Sequence, residues 1–70
     1  MTKEQFAIEV GKKIRKHRKE VDISQEKLAH ECGFYRTYVG HLENGRYSPT
    51  AYVLWKIAKA LKIPVEKFYP

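Results

Sequence analysis

Apolar residues recur along this 70-residue chain at helical spacing almost from its first position. In "TKEQFAIEVGKKIRKHRK", Phe6, Val10 and Ile14 return every fourth residue, which puts them on one face of a helix. Thr2 and Gln5, ahead of them, have capping-box spacing. The opposite face carries most of the lysines. Gly11 in mid-helix costs about 1 kcal/mol relative to alanine, a penalty that close packing would offset.

"EVDI" breaks this period. Ser24 then offers a side-chain oxygen as N-cap, with Gln25 and Glu26 in the first turn of a second, short helix. Leu28, Ala29 and Cys32 form its inward face, and Gly33 can take the left-handed conformation that ends it. Val39 and Leu42 resume helical spacing almost at once, so a tight turn joins this helix to a third, from about Tyr35 to Asn44, which Gly45 terminates. "GRYSP" reads as a loop. Thr50 then caps "AYVLWKIAKALK", whose apolar stripe is Ala51, Leu54, Ile57, Ala58 and Leu61. Pro64 suits the first turn of a last short helix, "VEKFY", with Val65 and Phe68 facing inward or toward a partner. No strand signal, repeat or linker interrupts the series. The expectation is an all-α fold of five helices in a single domain over residues 1–70.

Composition narrows the function. Fourteen Lys and Arg against eight Asp and Glu leave a net charge of +6, and the pI is about 9.6, so polyanions are attracted before any fold is considered. Lys12, Lys13, Arg15, Lys16, Arg18 and Lys19 concentrate that charge on the first helix, where it acts chiefly as long-range attraction for nucleic acid. The single cysteine, Cys32, excludes an internal disulfide and a cysteine-based zinc site. No run approaches the roughly 18 apolar residues of a membrane span, and the N-terminus lacks the apolar core of a signal peptide, so a soluble, cytoplasmic protein is expected. An enzyme would have only Cys32 with His30 or His41 as nucleophile and base. Cys32 shares the inward face with Leu28, no carboxylate is placed to orient a histidine, and no phosphate-binding loop or metal-ligand pair appears. No catalysis, cofactor or metal is therefore expected.

Counted from Gln25, alanine stands fifth (Ala29), glycine ninth (Gly33), a β-branched apolar residue fifteenth (Val39) and leucine eighteenth (Leu42). Each type has a mechanical role: a small residue where two helices cross, a glycine at the sharp turn, two apolar anchors for the following helix. With this spacing in "ISQEKLAHECGFYRTYVGHLENG", then the "SPT" helix start and "LWKIAKALKI", the chain resembles the phage-repressor-like helix-turn-helix family, also called the Cro and repressor or XRE-type family. The resemblance implies a five-helix, lambda-repressor-like domain with its helix-turn-helix at about 24–45 and a recognition helix at about 35–44 in the major groove of double-stranded DNA.

Carried onto this sequence, the family's base contacts fall on Tyr35, Arg36, Thr37 and His41. Arg36 can give two hydrogen bonds to guanine. Phosphate contacts fall on Gln25, Tyr38, Asn44, Arg46 and Tyr47. The helix start at Gln25 presents backbone N–H groups to an anion independently of any family. Gly40, without a side chain, would let the sugar-phosphate wall or a thymine methyl come close. The resemblance also implies a buried ion pair between Arg18 and Glu43. It often has glycine where Asp22 stands, and aspartate tolerates the left-handed conformation better than most residues.

Tyr52, Val53 and Trp55 lie off the apolar stripe of the fourth helix. A dimerisation surface within about 52–70, using Trp55, Phe68 and Tyr69, accounts for them, the alternative being that Trp55 completes the core of the monomer. A homodimer would read a near-palindromic operator. Such a regulator acts by occupancy, blocking RNA polymerase or touching it to activate. "YRTYVG" makes the chain similar to controller proteins of restriction-modification systems, with a phage-type repressor or a toxin-covering, autoregulating antitoxin as alternatives.

Overall fold

The computed structural model describes residues 1–70, with a radius of gyration of 10.7 Å. Four α-helices follow one another: α1 (Lys3–Glu20), α2 (Gln25–Cys32), α3 (Tyr38–Glu43) and α4 (Ala51–Leu61). The expected fifth helix is only a 3₁₀ turn, Val65–Phe68. Pro64 is extended (φ −65°, ψ 141°), and the bonds that follow, Lys67 N–H to the Pro64 carbonyl and Tyr69 N–H to that of Glu66, span three residues. Four residues with such bonds close one tight turn and no more.

Local chemistry sets the other boundaries. Thr2 and Gln5 make both capping-box bonds, 3.1 Å from the Gln5 N–H to the Thr2 hydroxyl and 2.8 Å from the Thr2 N–H to the Gln5 amide oxygen. Ser24 and Thr50 cap α2 and α4 by accepting from the N–H groups of Lys27 and Val53. Asp22, in place of the frequent glycine, is left-handed at φ 58°. Lys62 ends α4 at φ 60°, a position the sequence does not mark.

Ile14, Leu28, Leu42, Leu54, Ile57 and Phe68 are the largest fully buried side chains, joined by Val10 and Val39. Two helical faces differ from the periodicity. On α1 the buried set is Ala7, Val10, Gly11, Ile14 and Arg18, with Phe6 only half-buried at the rim. On α4 the buried stripe begins at Leu54, and Ala51 in the first turn is exposed. Gly11 is where α1 backs onto α3. A Cβ built there would lie 2.8 Å from the Glu43 carbonyl oxygen and closer still to that of Leu42. Only glycine lets the two helices approach this far.

Candidate nucleic-acid interface

The turn between α2 and α3 decides what α3 can present. Gly33 takes φ 75°, its N–H bonds to the His30 carbonyl at 3.1 Å, and the Phe34 N–H reaches back to Ala29 at 2.8 Å. After that closure Phe34 and Tyr35 lie outside any helix. The next helix begins at Tyr38, after a turn closed by the Tyr38 N–H on the Tyr35 carbonyl at 3.1 Å. Tyr35, Arg36 and Thr37 thus precede α3 instead of forming its first turn. All three are exposed. His41, one turn into α3, is half-buried.

Tyr38 is half-buried as well. Its ring meets the edge of Phe34 at 5.1 Å between centroids and also touches Tyr35 and Tyr47. Burial, and then Tyr47, hold its phenol above the ordinary 10.0. Tyr35 is raised by partial desolvation first, then by Tyr47 and Tyr38, with Arg46 opposing. Both therefore stay neutral O–H groups, able to donate to a phosphate oxygen or a base edge.

Behind this face lies a polar network. Arg18 Nε donates to Glu43 Oε2 at 2.6 Å, Arg18 Nη2 to Glu43 Oε1 at 3.1 Å, and Arg18 Nη1 to the Ile23 carbonyl at 2.7 Å. Their side chains are 10% and 1% exposed, and no buried polar side-chain atom lacks a partner. Gln25 Nε2 gives the carboxylate a third bond, 3.0 Å to Glu43 Oε1. Gln25 lies across α3, and a Cβ at Gly40 would stand 3.2 Å from its Oε1. The room at Gly40 is thus taken by Gln25, not left for a sugar or a methyl. This relation joins two residues 15 apart in sequence, and no local pattern announces it.

Asn44 and Arg46 are exposed, and Tyr47, 43% exposed, packs edge-on to His41. Gly45 bends the chain at φ 72° beneath Ile8. Lys3, absent from the sequence expectations, lines a groove with Arg46, Tyr47 and Ser48 at the start of α1.

On α4, Trp55 is 48% exposed, with Tyr52 beside it and the Lys59 ammonium 4.8 Å above its ring. Tyr69 is also exposed and leans on Phe6. Phe68 departs from the expected dimerisation role. It is wholly buried, with its ring against His17 of α1, because the 3₁₀ turn points it inward and Tyr69 outward. Cys32 is buried, its Sγ 3.7 Å from the Lys56 carbonyl, and burial raises its pKa.

Two packed helices that bury Ala29 and Val39 in a common core, with a left-handed glycine between them and an exposed polar turn at the head of the second, define a helix-turn-helix unit. The helix-turn-helix family model matches residues 14–68, and the chain belongs to that family of DNA-binding transcriptional regulators. It is 48% identical to an uncharacterized HTH-type transcriptional regulator of Methanothermobacter thermautotrophicus, over 69% of this chain and 70% of the relative. With the control protein C.BamHI of Bacillus amyloliquefaciens it shares 41% identity over 76% of this chain and 67% of that one. The solved restriction-modification controller protein C.AhdI of Aeromonas hydrophila superimposes with a TM-score of 0.86 at 32% identity, covering 90% of this chain and 96% of that one. This is a family of DNA-binding proteins, not of enzymes, and the chain is related to its restriction-modification controllers. No helix is long and apolar enough to cross a membrane.

Proposed function

We propose that this chain is a homodimeric, sequence-specific regulator of the controller type, reading a near-palindromic operator with the Tyr35–Glu43 segment in the major groove. The observation that carries this reading is the exposed turn Tyr35, Arg36 and Thr37. Its backbone is held by bonds on both sides, the Tyr35 ring packs only on neighbouring rings of the same surface, and the Arg36 and Thr37 side chains make no hydrogen bond inside the domain. Arg36 takes a guanine through two parallel hydrogen bonds, Thr37 meets an adjacent base edge, and His41 reaches one turn further. Phosphates are held by the N-terminus of α2 with Gln25, and by Tyr38, Asn44, Arg46 and Tyr47. Gln25 contributes through the second N–H of its side-chain amide, since the first is committed to Glu43.

Dimerisation through Tyr52, Trp55 and Tyr69 would place two such turns about one helical repeat apart. The bound dimer would then act on transcription by blocking RNA polymerase or touching it. Selection from random duplex DNA tests the reading: a palindromic consensus is expected, and Arg36→Ala should weaken binding to it by roughly 5- to 150-fold while relaxing preference at one position per half-site. Sequence-independent binding, or an Arg36→Ala variant that keeps the full preference, would refute it.

A further inference from the structure

Four side chains that the sequence presents as separate contacts form one aromatic cluster. Ring centroids of Tyr35 and Tyr38 lie 5.1 Å apart, those of Tyr38 and Tyr47 6.2 Å, those of His41 and Tyr47 5.5 Å, and those of Tyr35 and His41 6.4 Å. Phe34 supports it from the core side through Tyr38. The outer rings stand in water, with Tyr35 56% exposed, while the inner ones are half-buried. Bracing of this kind gives Tyr35 a fixed position, so a contact made by its ring costs little conformational entropy.

The arrangement of the rings selects what they can meet. A nucleobase sandwiched between two rings needs near-parallel planes about 7 Å apart, twice a van der Waals contact of about 3.5 Å. Here the rings touch each other at interplanar angles of 30° to 81°, leaving no slot. What remains is the Tyr35 ring itself, 56% exposed, one residue before Arg36. In the major groove of a duplex the apolar feature is a pyrimidine C5-methyl group, which thymine carries and cytosine has only when methylated.

We infer that Tyr35 is a specificity-determining residue that reads a pyrimidine C5-methyl group, supplied by thymine in unmodified DNA, beside the base pair taken by Arg36. The inference rests on the DNA-binding function proposed above. It assigns Tyr35 an apolar contact in which its hydroxyl is dispensable, so the ring decides and the phenol does not.

The test uses the full chain and its selected duplex. Each thymine is replaced singly by deoxyuridine, which removes only the methyl group, and each cytosine by 5-methylcytosine. At one position per half-site, uracil should lower affinity about fourfold, which corresponds to ~0.8 kcal/mol for one buried methyl group. Tyr35→Phe should keep that loss, and Tyr35→Ala, at an exposed position whose melting temperature serves as the folding control, should abolish it. A silent uracil scan with a Tyr35-dependent gain from 5-methylcytosine would identify modified cytosine as the source of the methyl. Silence in both scans, a methyl effect undiminished in Tyr35→Ala, or a preference for single-stranded over duplex DNA would overturn the inference. Failure of the DNA-binding reading is distinguishable, because the wild-type chain would then prefer no duplex over a scrambled one.

Discussion

Glu43→Ala should remove a large share of the stability of this domain. The carboxylate accepts three hydrogen bonds, at 2.6, 3.1 and 3.0 Å, two from Arg18 and one from Gln25. Truncating it leaves a guanidinium, in a residue only 8% exposed, with the Ile23 carbonyl as its remaining acceptor. Stranding one partner of a buried pair costs about 3–5 kcal/mol. Counting instead the two lost charged hydrogen bonds from Arg18, at about 1.5–3 kcal/mol each, leads to a similar range. A 70-residue domain has roughly 3.5–10 kcal/mol in total, at about 0.05–0.15 kcal/mol per residue. The loss is therefore roughly 30% of the stability or more, and in a domain of this size it lowers Tm by at least about 12 °C.

Urea denaturation of the wild type, Glu43→Ala, Arg18→Met and the double variant Arg18→Met/Glu43→Leu would measure it. The double variant should recover most of the loss, because apolar side chains of similar volume leave no uncompensated charge. A Glu43→Ala penalty below about 1 kcal/mol would refute the reasoning, since that is the range of an exposed pair.

Gly11→Ala sets helix propensity against packing. Alanine gains about 1 kcal/mol as a helix former, but its Cβ meets the backbone carbonyls of Leu42 and Glu43, which cannot rotate aside. Overpacking typically costs about 1–3 kcal/mol, and the shift it forces also loosens the adjoining Arg18–Glu43 bonds. A lowered denaturation midpoint is expected, and a raised one would show that α1 and α3 separate freely. Cys32 should label slowly with a thiol reagent in the native protein and at once in urea, because burial holds its pKa above 9.0. The sign for stability follows: this contribution is complete below the unfolded value and is lost as pH rises through the folded one, as a denaturation series from pH 8 to 10 would detect.

Much of this molecule was legible along the chain because its determinants are local. Ser24, Thr50 and the Thr2–Gln5 box act within one turn, and Gly33, Gly45 and Asp22 stand at left-handed positions that their own backbones demand. The spacing of Ala29, Gly33, Val39 and Leu42 was enough to identify the helix-turn-helix unit. Tertiary structure decided whatever depended on residues far apart in sequence. The late start of α3 at Tyr38 is an exception, since the bonds at Gly33, Phe34 and Tyr38 that leave Tyr35, Arg36 and Thr37 ahead of the helix span only three to five residues. Phe68 has the same polarity facing a partner or a core, and only the position of α1 put it in the core. Gln25 and Gly40, like the four rings around Tyr35, become neighbours through helix packing, which a one-dimensional period cannot encode.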